Sequence, residues 1–112
     1  MRWLSLIILC FFPSFVFAHF NPDSLKEKLY TASSENKIKI LESLSEYYKE
    51  KQNFPEAIQY SKQLADLYEK KGNLKKACEF YNRIAAFYFQ EGNYTLTLKN
   101  FLKVIEICKK NK

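Results

Sequence analysis

The sequence predicts an all-α fold: antiparallel helical hairpins, about five helices in all, stacked one on the next as a short solenoid. Three observations predict it. From about position 38 onward one pattern returns every twenty residues: Asn53-Phe54, Asn73-Leu74 and Asn93-Tyr94 open successive cycles, and Ala57, Ala77 and Thr97 follow three residues later. Leu44, Leu64, Ile84 and Val104 fall mid-cycle, and Tyr48, Tyr68, Tyr88 and Cys108 close the set. Within each cycle the apolar residues keep helical spacing and never alternate with strand period, and the punctuation between cycles is too short for anything but antiparallel neighbours.

Taken in order, the chain opens on a segment to be set aside before folding is considered. Met1 to Ala18 carries one basic residue, Arg2, then an apolar run from Leu4 through Phe17, and ends Val16-Phe17-Ala18. That pattern is expected of a secretory signal peptide cut after Ala18. The run is shorter than the roughly 20 residues needed to cross a bilayer, and Pro13 interrupts it, so no stable membrane insertion is expected after cleavage. Lipid attachment at Cys10 is a poor reading, because Leu9 before it is not small. Residues 19–112 are then one small helical domain, secreted or periplasmic.

Asn21-Pro22-Asp23-Ser24 supplies a helix start, with Pro suited to a first turn and the polar residues to capping. A lead-in helix over 23–32 would bury Leu25, Leu29 and Tyr30. The first repeat, 35–71, holds one helix with Ile38, Leu41, Leu44, Tyr47 and Tyr48 on one side. Pro55 starts its second helix, which buries Ala57, Ile58, Leu64, Ala65, Leu67 and Tyr68 and ends before Gly72. The second repeat, 74–110, places Ala77, Cys78, Phe80, Tyr81, Ile84, Ala85, Phe87 and Tyr88 inside its first helix. Its second helix is expected to bury Leu98, Phe101, Val104, Ile105 and Cys108, ending in lysines that suit the helix dipole.

Removing Arg2 from the chain's 18 Lys and Arg leaves 17 against 12 Asp and Glu, a charge of +5. The signs alternate closely, as in Lys26-Glu27-Lys28 and Lys49-Glu50-Lys51, which is the habit of a solvated helical surface. Nucleic acid is therefore a poor candidate partner, and binding of an acidic polymer is retained only as an alternative. No nucleophile and base can be paired, there is no glycine-rich phosphate loop, and His19 is the one histidine, so no catalytic residue, metal site or cofactor is expected. Cys78 and Cys108 lie nearly opposite each other if their helices turn back at Gly92. Either they form a disulfide or each fills a core slot as a small hydrophobe. Asn93-Tyr94-Thr95 is formally a glycosylation acceptor, but Asn recurs at 53, 73 and 93 as a turn residue.

Two cycles make one hairpin, so the structural period is forty. Leu41, Leu44, Ser45, Tyr48, Phe54, Ala57, Ser61 and Leu64 stand at the signature spacing of the tetratricopeptide repeat family. Tyr81, Ile84, Ala85, Tyr88, Gly92-Asn93-Tyr94, Thr97, Phe101 and Val104 occupy the corresponding places of a second repeat. The chain resembles that family over residues 38–108, in its long forty-residue form, as found in extracytoplasmic repeat regions of bacterial proteins. It departs at Thr97, where Ala is usual, and lacks the Pro that often separates repeats.

The resemblance implies a non-catalytic module that presents a concave groove, lined by the first helix of each repeat, to a protein or peptide. Carried onto this chain, that face is Lys39, Glu42, Glu46 and Lys49, then Glu79, Asn82, Arg83, Ala86, Phe89 and Gln90. Glu42 and Glu46 stand where the family's carboxylate clamp needs Lys and Asn. Phe89 draws notice because its period mates are Lys49 and Glu69. A sensory domain binding a small ligand is the alternative reading. In the last helix, Leu96, Leu102 and Ile105 break the period and keep an apolar stripe where a terminal helix needs a polar face. Self-association or a partner surface is expected there, unless later repeats have been lost.

Overall fold

The computed structural model describes residues 20–110. The expected signal peptide, Met1–Ala18, and His19 lie outside the described residues. Five α-helices follow one another: α1 (Pro22–Lys28), α2 (Ser34–Glu50), α3 (Phe54–Lys70), α4 (Leu74–Gln90) and α5 (Tyr94–Lys110). Each packs on its neighbours in sequence, so the array is an all-α stacked solenoid, as the sequence predicts.

The twenty-residue period is set by one turn used three times. At the end of α3, the Gly72 amide donates to the Glu69 carbonyl and the Asn73 amide to the Tyr68 carbonyl. These two bonds require a left-handed residue at position 72, where φ is +81°, so Gly suits it. The Asn73 side chain then caps α4, its Oδ1 accepting from the Lys76 amide at 3.2 Å. Gly92 and Asn93 repeat the arrangement ahead of α5, and Asn53 does so ahead of α3. Gln52 holds the left-handed place in that first turn, with φ +56°.

Packing follows from the same period. Leu41, Leu44, Leu64 and Ile84 are fully buried, and Ala57, Ala65, Ala77 and Ala85 bring the helix axes close. Ring pairs twelve residues apart add shape: Tyr48 stacks on Tyr60 and Tyr68 on Phe80, each with centroids 5.8 Å apart. Thr97 sits at an Ala position and is buried, its hydroxyl donating to the Asn93 carbonyl at 2.8 Å, so the departure leaves no unsatisfied group. Ion pairs tie alternate helices: Lys26 to Glu56 at 4.0 Å, Arg83 to Glu46 at 3.6 Å, and Lys103 to Glu69 at 3.7 Å.

Two expectations need correction. The lead-in helix is shorter than 23–32, because the chain turns at Leu29–Thr31, and Tyr30 is 91% exposed rather than buried. In α5 the buried residues are Thr97 and Ile107, while Leu98, Phe101, Ile105 and Cys108 are exposed. These positions recur from Ile38, Leu41, Ser45 and Tyr48 of α2, where a following helix covers them; among the described residues nothing follows α5. Of the two readings left open for Cys78 and Cys108, the structure has both as free thiols, with Cys108 exposed and so filling no core slot. They do lie side by side, and burial foremost, then the neighbouring Cys108 thiol, pushes the Cys78 thiol up from its ordinary range.

Candidate functional site

The first helices of the two hairpins, α2 and α4, leave a groove of about 610 Å³ between them. From α2 it receives Lys39, Glu42, Ser43, Glu46 and Tyr47, and from α4 Lys76, Glu79, Phe80 and Arg83. Phe20, just ahead of α1, closes one side. Alternation of turns explains the choice. On α2, Leu41, Leu44 and Ser45 are spent on the core, which leaves positions 39, 42, 43 and 46 facing outward at helical spacing.

Aromatic rings form the apolar part of the groove. Phe20 stacks on Tyr47 with centroids 4.9 Å apart, and the Arg83 guanidinium lies 5.2 Å from the Phe80 ring centroid. The charged part is balanced: Lys39, Lys76 and Arg83 stand against Glu42, Glu46 and Glu79. Glu46 is shared, its Oε1 3.2 Å from Lys49 and its Oε2 3.6 Å from Arg83. Lys76 pairs with Glu79 at 3.4 Å. The Tyr68 hydroxyl donates to Glu42 Oε1 at 2.6 Å; burial, then this bond, pushes the Tyr68 hydroxyl up to about 12. Thus Glu42 and Glu46 each have polar partners, while Lys39 has no ion-pair partner among the described residues. Aromatic and charged groups side by side suit recognition by shape and charge.

Of the ten residues expected to line a groove, Lys39, Glu42, Glu46, Glu79 and Arg83 come together here, with Lys49 on the rim through its bond to Glu46. Asn82, Ala86, Phe89 and Gln90 do not. Phe89 is 59% exposed and packs on Tyr94, ring centroids 5.5 Å apart, beyond the groove's end. Phe20, Ser43, Tyr47, Lys76 and Phe80 were not singled out from the sequence. Tyr47 and Phe80 look like interior residues by spacing, because a ring large enough to reach the core also exposes an edge. Phe20 precedes every periodic element and carries no signal of its own.

The repeat geometry and the comparison with known families agree. A family model described as soluble NSF attachment protein, SNAP, matches residues 25–112, most of the chain and all four long helices. The chain belongs to the soluble NSF attachment protein family. Membership supports a helical-repeat, protein-interaction adaptor fold and protein partners. The match runs from Leu25, inside α1, so the SNAP-like region takes in the end of the lead-in helix as well as both hairpins. No curated protein and no solved structure matches the chain.

Proposed function

We propose that the chain is a non-catalytic adaptor of tetratricopeptide type, whose groove between α2 and α4 receives a segment of a protein partner. The observation that carries this reading is the pairing of aromatic walls, Phe20, Tyr47 and Phe80, with carboxylates and cations that, Lys39 apart, have partners among neighbouring side chains. A preformed groove spares the partner the cost of ordering it. The equal number of acidic and basic groups in it favours a segment bearing both signs around an apolar anchor, and speaks against an acidic polymer. The family's name, an attachment protein for NSF, is consistent with adaptor work of this kind. The leader-like Met1–Ala18 supports a secreted or periplasmic site of action, tested by N-terminal sequencing of the chain recovered from the extracytoplasmic fraction, where His19 should come first.

The groove is tested by selecting displayed peptides on the full chain and measuring their affinity by calorimetry. Peptides with an apolar anchor flanked by charges should emerge, and Tyr47→Ala or Arg83→Ala should weaken them at least tenfold, while Phe89→Ala leaves them unchanged. Affinity indifferent to both groove substitutions would sink the reading. A steep loss with added salt, parallel for all acidic ligands, would instead support polyanion binding.

A further inference from the structure

A second surface lies away from the groove, on the outer side of α5. Leu98, Phe101, Leu102 and Ile105 are 59%, 44%, 54% and 50% exposed, and they follow one another at spacings of three, one and three residues. Tyr94, one turn earlier, extends the line. They therefore form one apolar stripe along the helix. Leu98, Phe101 and Ile105 recur from positions that are covered in α2 and α3. Leu102 does not: its period mates Glu42, Lys62 and Asn82 are exposed and polar. Polar atoms at those places meet the next helix, Glu42 accepting from Tyr68 and Lys62 lying over the Tyr88 ring, whereas a leucine there widens the apolar stripe.

The stripe also reads nearly the same in both directions about a point between Phe101 and Leu102. Turned end over end, Leu98 takes the place of Ile105, Phe101 that of Leu102, and Tyr94 that of Lys109. On one flank of the stripe sit Lys99 and Glu106, which the same turn brings close to each other's level. We propose that a second copy of this chain covers the stripe, α5 packing antiparallel on α5 about a two-fold axis through the Phe101–Leu102 step. Self-complementarity is what a two-fold interface demands of a single patch. In this arrangement Leu98 of one copy faces Ile105 of the other, Lys109 lies over Tyr94, and Lys99 pairs with Glu106 twice, once on each side of the axis.

The arrangement makes specific demands on experiment. Sedimentation equilibrium of the full chain should show a monomer–dimer equilibrium. Leu102→Glu, at a half-exposed site where helicity by circular dichroism should be retained, should raise its dissociation constant at least tenfold. Lys99→Glu should weaken the dimer, and adding Glu106→Lys should restore it. Leu102→Cys, with the native cysteines replaced by serine, should cross-link to its own mate near the axis. Cys108 of the unaltered chain should not, because antiparallel packing sets the two copies of that residue roughly 20 Å apart along the helix. A chain that stays monomeric throughout, a dimer indifferent to Leu102→Glu, or efficient cross-linking through Cys108 would overturn the proposal. The groove substitutions Tyr47→Ala and Arg83→Ala should leave the dimer intact, which separates this surface from the first.

Discussion

The hydroxyls of Ser45 and Ser61 lie 2.8 Å apart, hydrogen-bonded to each other between α2 and α3 with both residues buried. Small side chains at these positions let the two helices approach, but a buried hydroxyl is tolerated only when it is paired. Each serine therefore supplies the other's partner. Ser45→Ala or Ser61→Ala alone should cost about 1–2 kcal/mol by leaving one hydroxyl less well satisfied. The double substitution should cost less than the two single costs added, because it removes the stranded group as well. Urea unfolding of the four chains in a double-mutant cycle measures the difference. Strict additivity would mean that the hydroxyls are satisfied elsewhere, for example by carbonyls of their own helices.

Gln52 holds a left-handed backbone conformation, φ +56°, at the position where the next two turns use Gly72 and Gly92. A side chain there crowds the backbone, and glycine does not. Gln52→Gly should stabilise the fold by up to about 1 kcal/mol, the relief of strain being partly offset by glycine's greater freedom in the unfolded chain. The reverse change at the later turn, Gly92→Gln, should destabilise by a comparable amount. Nothing lies within 4 Å of a Cβ added at Gly92, so the effect there is conformational rather than steric. Thermal melts of both variants check the pair of signs.

The turns show why so much of the fold was legible in the sequence. Asn53, Asn73 and Asn93 each end one helix and cap the next, and Leu44, Leu64 and Ile84 are buried wherever the period places them. Periodicity reports what every repeat must do. It fails where position in the array matters: Leu98 and Phe101 carry the pattern of buried residues yet are exposed, because covering them takes a helix beyond α5. The groove was half legible for the same reason. Lys39, Glu42, Glu46, Glu79 and Arg83 face outward on first helices, where the resemblance to the tetratricopeptide repeat implied a groove. Tyr47 and Phe80 serve core and groove together, and Phe20 lies outside the repeat. Phe89, which breaks the period most visibly, rests on Tyr94 instead of entering the groove.

Cys78 and Cys108 differ in exposure, one half-buried in α4 and the other exposed on α5. Burial and the adjacent Cys108 thiol raise the pKa of Cys78, so less of it is thiolate at neutral pH. In the folded protein Cys108 should react with a soluble alkylating reagent clearly faster than Cys78, and denaturation should erase most of the difference. Peptide mapping of a timed reaction gives the order directly. Equal rates in the folded state would show that the α4–α5 contact opens readily.

Burial of the Tyr68 hydroxyl, with its bond to Glu42, sets an alkaline limit on stability. The Tyr68 hydroxyl is pushed up to about 12 by burial and by the carboxylate it donates to, against an ordinary value of 10.0. Below pH 10 the tyrosine is protonated in both the folded and unfolded chains, and its contribution is fully present. Between pH 10 and 12 the unfolded chain releases the proton first, so stability falls as pH rises, and the contribution is lost once pH passes the folded value. Burial raises Tyr60 and Tyr81 in the same direction, the latter also through its bond to Glu69, so they add to the loss. Tyr68→Phe should be less stable than the parent at neutral pH, because Glu42 loses a partner, and should show a shallower decline above pH 10. Melting temperatures taken from neutral to alkaline pH, with tyrosine ionisation followed by near-ultraviolet absorbance, separate the two effects. Parallel declines in parent and variant would show that Tyr68 is not held by Glu42, and with it that this carboxylate is free to move within the groove.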